Sequence, residues 1–534
     1  MAVAVALSGA IVWPMQPGGT LEAAPAQAPS RAGPPSPEPP RGLLVLVLVA
    51  GAASLGAEIA AARLLAPYFG ASTIIWANTI GVVLVALSAG YWLGGRMADR
   101  RPRERDLRLT VLCAAVLLAA VPLIAGPFFA VALDAFDRID AGAFLGSLVG
   151  VLLLVALPVL LLGAVSPWAL RLAVSSVEHA GAVAGRLYAL STLGSLLGVF
   201  LAALLLVPLV GTQRTFLIFA ATLALAAASG LPRRALLVPL ILAALLAVPP
   251  GATKPGRAGE RVLYERETPY QYVRVVEERG ERRLELNEGL AVHSLFRPGS
   301  VLTDAYWDGY SVLPFARLDG PPRRLAMLGN AGGTVARAYA RLFPGTRIDG
   351  VEIDPVVSKA GRRFLGMRNP RLRVVDEDAR PFLRRTTARY DLIGVDAYRQ
   401  PYIPFYLTTR EFFALVRDRL TPGGTVVINI GHPEGDDGLE RALSATVASV
   451  FTHVARYPIE PTNTLVMAAR GDILRSRLRA AGSWLPAELR PTLAAAEAGL
   501  APRLRGGAVY TDDRAPVEWL VDASIVRTAA RGER

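Results

Sequence analysis

Between Leu43 and Pro249 the chain runs through one apolar stretch after another, and no other feature limits its possible folds so much. Segments at about 43–66, 73–95, 109–131, 145–169, 187–209, 213–230 and 235–249 each approach the ~20 apolar residues that a bilayer crossing needs. One such run can be a buried core helix; seven in series argue for a multi-pass α-helical membrane domain over 43–250, with the seventh span the shortest. Composition agrees, at 52% hydrophobic, 19% charged and mean hydropathy +0.38. Residues 1–42 contain the Pro-, Ala- and Gly-rich run "PGGTLEAAPAQAPSRAGPPSPEPPR" and read as a disordered segment.

Within the spans, Gly90 with Gly94 and Gly194 with Gly198 have the four-residue spacing that lets helices approach closely. Glu58 is an ionisable group inside a span, where it needs a partner or a polar cavity; Arg63, just over one turn on, is the candidate partner. The loop "GGRMADRRPRERDLR" is strongly basic and expected in the cytoplasm, whereas "LDAFDRIDAG" is acidic and expected outside. Seven spans then leave the C-terminal half outside. The chemistry of that half, set out below, instead expects a cytoplasmic position, so the two expectations conflict.

Net charge is +13, nearly all from arginine, since Lys254 and Lys359 are the only lysines. The arginines are dispersed, with clusters in loops beside apolar spans, which fits membrane topology and argues against a nucleic-acid partner. A single cysteine, Cys113, excludes a disulfide framework. The four histidines show no ligand spacing, so no metal is expected.

After residue 250 the pattern changes. Residues 251–320 hold a small β element, with strands and a tight turn at Gly280. From 321 to 534 strands alternate with helices: strands at 323–329, 346–354, 371–378, 390–396 and 424–430, with helices at 332–343, to about 365, and at 409–420. That alternation predicts a doubly wound parallel sheet of Rossmann-like type, whose ligands bind beyond the C-terminal strand ends. The turn "GNAGG" supplies Gly329, Gly332 and Gly333 for close backbone approach, and no Lys-Ser/Thr follows to make a P-loop. Glu352, Asp378 and Asp396 end the second, third and fourth strands. A carboxylate ending the second strand can accept from both ribose hydroxyls, and one ending the third from an adenine amino group. The aromatic run after Asp396, "AYRQPYIPFY", reads as a lid over a ligand. Asp354 reads as a helix cap, and Asp376 and Glu377 as solvated.

The runs "GAASLGAEIAAARLLAPYFG", "GYWLGGRMADR", "LELNEGLAVHS", "VEIDP", "YDLIGVDAYRQPYIPFYLTTREFF" and "TDDRAPVEW" together resemble the spermidine/spermine synthase family, in its membrane-fused bacterial branch. That branch's membrane domain is similar to part of a major-facilitator transporter. The resemblance implies a class I methyltransferase-type domain that transfers an aminopropyl group from decarboxylated S-adenosylmethionine to an amine. It also implies that Glu352 holds the ribose and Asp378 the adenine. Asp396 is the base or orienter of the amine, Tyr306 lines the amine channel, and Tyr398 follows the catalytic residue as a substrate contact. Three positions depart from the family pattern. An aspartate of the glycine loop is Ala331 here, a glutamine after the channel tyrosine is Trp307, and a second, amine-binding aspartate aligns with Arg399.

The expected function is therefore a membrane-bound aminopropyltransferase of the bacterial inner membrane. Two alternatives remain: an adenosyl-cofactor transferase with another acceptor, and a membrane transporter or sensor that binds polyamine or nucleoside without turnover. The expected partners are an amine, the lipid bilayer and, because seven spans are too few for a complete facilitator, a second copy of the chain.

Overall fold

The computed structural model describes residues 39–69, 73–138, 142–248, 254, 256–257, 259–287, 291–398 and 402–530. The apolar runs fold as helices because a helix satisfies its backbone hydrogen bonds internally, which the bilayer interior requires. In chain order they are α1 (Arg41–Phe69), α2 (Thr73–Arg100), α3 (Glu104–Arg138), α4 (Gly142–Leu154), α5 (Ala156–Gly163), α6 (Val165–Ala173), α7 (Ala180–Phe200), α8 (Val207–Val210), α9 (Thr212–Ala228) and α10 (Leu237–Ala247). A π-helical turn at Leu201–Leu206 joins α7 to α8. Among the described residues, five stretches are long and apolar enough to cross a membrane: Arg41–Tyr68, Ile75–Arg100, Glu104–Phe129, Ala156–Ala173 and Ala180–Val210. The expected sixth and seventh spans form shorter helices, of 17 and 11 residues.

Both glycine pairs lie at helix contacts. A Cβ on Gly194 would meet the Leu48 carbonyl oxygen at 2.0 Å, and one on Gly198 would meet that of Ala52 at the same distance. One on Gly90 would come within 2.2 Å of the Leu160 carbonyl oxygen. These obstacles are backbone, which cannot swing aside. Gly198→Val is therefore expected to force α1 and α7 apart, costing at least the ~1–3 kcal/mol typical of overpacking and lowering the detergent-solubilised protein's melting temperature; an unchanged melting curve would contradict this packing. The expected Glu58–Arg63 pair does not form. A five-residue step is about 140° around a helix, and Arg63 donates instead to the Pro269 carbonyl in the following domain.

That domain begins with an antiparallel four-stranded sheet: β1 (Arg261–Glu267), β2 (Tyr272–Glu278), β3 (Glu281–Leu286) and β4 (Val292–Phe296). Arg279 and Gly280, at φ 51° and 82°, make the two-residue hairpin turn. The main sheet contains β5 (Arg324–Leu328), β6 (Arg347–Glu352), β7 (Leu372–Asp376), β8 (Tyr390–Val395), β9 (Leu420–Gly431), β10 (His453–Glu460), β11 (Asn463–Ala469) and β12 (Ala501–Pro502), in the order β12-β10-β11-β9-β8-β5-β6-β7. The helices are α11 (Thr334–Leu342), α12 (Pro355–Phe364), α13 (Ala379–Arg385), α14 (Arg410–Arg419), α15 (Gly438–Ala448), α16 (Arg475–Ala481), α17 (Arg490–Gly499) and α18 (Val517–Ala530). Leu325 and Met327 enter one core while Ala326 and Leu328 enter the other, so β5 is buried on both faces.

The expected parallel sheet holds for β5 to β9. Its extension is antiparallel: β11 returns along β9, and β10 pairs with β11 across a tight turn, making the whole sheet mixed. In the parallel part the strand order reverses between β5 and β8, which opens a crevice at their C-terminal ends.

The small sheet also seats this domain on the membrane bundle. The Lys254 ammonium donates to the Pro67 carbonyl at 3.0 Å. Glu267 accepts from the Thr212 backbone N–H at 2.7 Å and from its hydroxyl, placing a carboxylate on orphan donors at the N-terminus of α9.

Candidate active site

The crevice between β5 and β8 is a cavity of about 350 Å³. The backbone enters it through Gly329, at φ +88°, where a Cβ would sit 2.2 Å from the Asp396 carbonyl oxygen. Only glycine fits there, because the Asp396 backbone packs directly against that turn; the Asp396 N–H is itself bonded to the Leu328 carbonyl at 2.8 Å. Gly332 and Gly333 stand behind this turn. Added Cβ atoms there would strike Leu365 at 2.3 Å and Met367 at 2.4 Å, so these two glycines let α12 and its following loop close on the turn. Ala331 lines the cavity with φ +46°, an unusual left-handed conformation for a residue with a Cβ.

Glu352 leaves the end of β6 and points into the cavity. Its two oxygens accept from the Ala331 N–H at 2.9 Å and the Asp354 N–H at 3.1 Å, which ties the glycine turn to the second strand. Burial pushes its carboxyl up to about 7, against those hydrogen bonds. Asp378 caps α13 through the Arg380 N–H at 2.9 Å and accepts the Tyr406 hydroxyl at 2.6 Å. Asp354, buried, caps α12 and accepts the Thr268 hydroxyl at 2.7 Å. Asp376 accepts the Ser358 hydroxyl at 2.7 Å. Glu377, expected in solvent, contributes to the cavity wall while pairing with Arg385.

Asp396 directly follows β8, at the centre of a built constellation. One carboxylate oxygen accepts the Asn429 amide at 2.9 Å and the other the Tyr306 hydroxyl at 3.1 Å. Asn463 holds the Asn429 carbonyl at 2.9 Å, so the amide is oriented by a further residue of the antiparallel edge. Burial raises the Asp396 carboxyl to about 6, with Asn429, Tyr306 and the Trp307 indole opposing it. Tyr306 stacks on Trp307 with ring centroids 4.3 Å apart, and burial beside Asp396 keeps its phenol neutral. Tyr398 lines the cavity and accepts the Gly431 N–H, fixing its ring against β9. Trp307→Phe removes one donor to Asp396 and is expected to move the acidic limb of the activity profile to higher pH, with nucleoside affinity unchanged. An unmoved limb would mean that the indole only fills space.

The structure thus brings Gly329, Glu352, Asp378, Asp396 and Tyr398 to one cavity, with Tyr306 bonded to Asp396. Sequence reasoning missed Asn429 and Gln271, although Asn429, near the end of β9, was within reach of the strand-end rule that found the three carboxylates. The aromatic run contributes Tyr402, Phe405 and Tyr406 to the wall; Arg399 lies outside the described residues. Asp512 is held by Arg380 at 2.5 Å and the Thr409 hydroxyl at 2.7 Å, and braces α13 against α14. Among the described residues the cavity lining carries Glu352, Glu377, Asp378, Asp396 and Glu518, but no lysine or arginine. No group of three or more His, Cys, Asp or Glu among the described residues is placed to hold a metal ion.

Residues 315–471 match the spermine/spermidine synthase domain. The chain is 35% identical over 192 residues to a probable polyamine aminopropyl transferase of Bifidobacterium longum, covering 36% of this chain and 42% of that protein. It is 35% identical over 153 residues to a polyamine aminopropyltransferase of Vibrio vulnificus, covering 28% and 50%. The match therefore spans half or less of these relatives' length. Among solved structures, a probable spermidine synthase from Corynebacterium glutamicum aligns at TM-score 0.37 and 20% identity, over 47% of this chain and 97% of that one. A spermidine synthase in complex with the transition-state analogue AdoDATO aligns at 0.36 and 18%, over 50% and 85%.

Proposed function

We propose that this chain is a membrane-fused member of the spermidine/spermine synthase family and an aminopropyltransferase that uses decarboxylated S-adenosylmethionine and an amine acceptor. The observation that carries the reading is the charge of the cavity: five carboxylates and no lysine or arginine among its described lining residues. Decarboxylated S-adenosylmethionine is a sulfonium with a free ammonium and no carboxylate, and the acceptor is a second cation. Both suit such a wall. A dinucleotide would bring phosphates to it, and intact S-adenosylmethionine a carboxylate, and among the described lining residues only the His293 imidazole, with no lysine or arginine, could meet either.

In this reading Glu352 accepts the ribose hydroxyls, Asp378 takes the adenine amino group, and Gly329 lets the backbone approach the nucleoside. The acceptor nitrogen attacks the propyl carbon next to sulfur. The N–C bond forms as the C–S bond breaks, the bond pair leaves with methylthioadenosine, and Asp396 takes the proton released by the nitrogen. Because the sulfonium is already a good leaving group, the protein's contribution is alignment of the pair and removal of that proton. Asn429 and Tyr306 hold the carboxylate in place for it. Aromatic faces at Tyr398, Tyr402 and Tyr406 add cation–π attraction for the reactants.

Trp307 and Ala331 favour a second reading in which the adenosyl half is kept and the acceptor differs from the family's usual diamine. Calorimetry separates cofactor classes. Decarboxylated S-adenosylmethionine is expected to bind more tightly than S-adenosylmethionine. It should also release protons between pH 6 and 7, because a bound cation lowers the raised Glu352 and Asp396 carboxyls. Tighter binding of the intact, carboxylated cofactor would favour methyl transfer instead.

A further inference from the structure

The membrane bundle has one arginine-rich end, and the catalytic domain is seated on the other. Arg96, Arg100, Arg101, Arg103 and Arg105 occupy the end of α2, the turn after it and the start of α3. Arg108, one turn into α3, bonds the Ala226 carbonyl at 2.9 Å and would lie 2.9 Å from a Cβ on Gly42, so the start of α1 and the end of α9 share that end. Arg233 and Arg234 follow α9 there. Arg171, near the end of α6, reaches Asp99 near the end of α2 at 3.3 Å. Because Gly194 packs on Leu48 and Gly198 on Ala52, α7 runs parallel to α1 and begins at the same end, with Arg186 in its second turn.

The docking contacts sit at the far ends of the same helices. Arg63 and Pro67, in the last turns of α1, meet Pro269 and Lys254, and Thr212, the first residue of α9, meets Glu267. The sequence that runs from the last residues of α3 to the first of α4, "LDAFDRIDAG", is acidic. The chain passes from the Arg233–Arg234 end to the Pro67 end between residues 234 and 254, so the placement does not depend on counting α10 as a full span.

Short loops rich in arginine stay in the cytoplasm. From that asymmetry and the docking geometry we infer that residues 261–530, with the cavity, lie on the non-cytoplasmic face of the membrane, and that the acceptor is drawn from amines outside the cytoplasm. The segment that docks is also part of the site. Pro269, whose carbonyl binds Arg63, lines the cavity with Tyr270 and Gln271, and Tyr270 is 42% exposed. The cavity mouth therefore lies beside the bilayer surface, with a tyrosine at the level where such side chains concentrate. The cationic nucleoside would then have to be delivered across the membrane, which calls for an export step before the transfer. The acceptor statement rests on the function proposed above; the side of the membrane does not.

The test uses the full-length chain in the inner membrane of a Gram-negative host. In a Cys113→Ala background, Ser483→Cys places a thiol on the exposed surface of the catalytic domain, and Ser175→Cys places one in the exposed turn between α6 and α7. A bulky, membrane-impermeant maleimide is applied to cells with a permeabilised outer membrane and an intact inner one. Ser483→Cys is expected to label fully before the inner membrane is opened and Ser175→Cys only afterwards. The reverse pattern would overturn the inference. Should either cysteine variant fail to insert, alkaline phosphatase and green fluorescent protein fused after residue 530 give the same decision: phosphatase activity supports it, fluorescence overturns it. Neither readout needs turnover, so an inactive protein that labels as expected would count against the proposed function alone.

Discussion

Asp396→Asn should lower kcat by about 10²- to 10⁴-fold, the range for losing a positioned general base, while leaving methylthioadenosine binding nearly intact. The asparagine keeps the shape of the carboxylate and can still accept from Tyr306 or Asn429, but it cannot take a proton. Stability should move the other way. In the folded state the Asp396 carboxyl titrates near 6, above its ordinary 3.8. The native state therefore holds the proton more tightly than the unfolded chain, and stability is lost as pH rises from about 4 to about 6, by roughly 3 kcal/mol. Asparagine has no such ionisation, so the variant should melt at a higher temperature than wild type near neutral pH. Wild-type kcat should fall as pH drops below about 6, where the base is protonated. An active Asp396→Asn protein would remove the base from this mechanism.

Glu352→Gln is expected to act on affinity. Its carboxylate is tied to the glycine turn, where it accepts the Ala331 N–H at 2.9 Å. Glutamine retains one acceptor oxygen for that N–H, so the turn should persist. It loses the second acceptor, which takes the Asp354 N–H at 3.1 Å, and with it a charged hydrogen bond of about 1.5–3 kcal/mol to a ribose hydroxyl. Dissociation constants for decarboxylated S-adenosylmethionine and methylthioadenosine should both rise about 10- to 100-fold, with kcat at saturation little changed. Calorimetry and saturation kinetics on the same preparation check this. A collapse of kcat at unchanged affinity would assign Glu352 to the chemistry.

The two variants also show what could be read from the sequence. Glu352 and Asp396 were legible because a parallel strand points its end into the crevice; Asp378 was reached by the same rule, although β7 stops at Asp376 and Asp378 instead caps α13. The β5–β9 alternation was legible for the same reason: each buried strand is a short apolar run ended by a polar residue. The antiparallel edge was not, because "HVARYPIE" and "NTLVMAA" are individually too short to declare their direction. With that edge went Asn463, which orients Asn429, and Glu460, which binds the Tyr306 N–H at 2.7 Å. Hydrophobicity marked the membrane segments but not their lengths, since prolines and the interhelical contacts at Gly90, Gly194 and Gly198 decide where helices break and cross. The Glu58–Arg63 expectation failed because adjacency in sequence was taken for adjacency on the helix surface. Docking of the two domains through Pro67, Thr212, Lys254 and Glu267 had no local signature at all.

The central claim is transfer of an aminopropyl group with Asp396 as base. Its most direct test is a rapid-quench turnover of the full-length protein in lipid nanodiscs, given decarboxylated S-adenosylmethionine and a panel of amines. Mass spectrometry would follow methylthioadenosine and the alkylated amine, with Asp396→Asn as the control. Stoichiometric appearance of both products, lost in the variant, is the predicted result. Tight methylthioadenosine binding with no alkylated amine from any acceptor would contradict it.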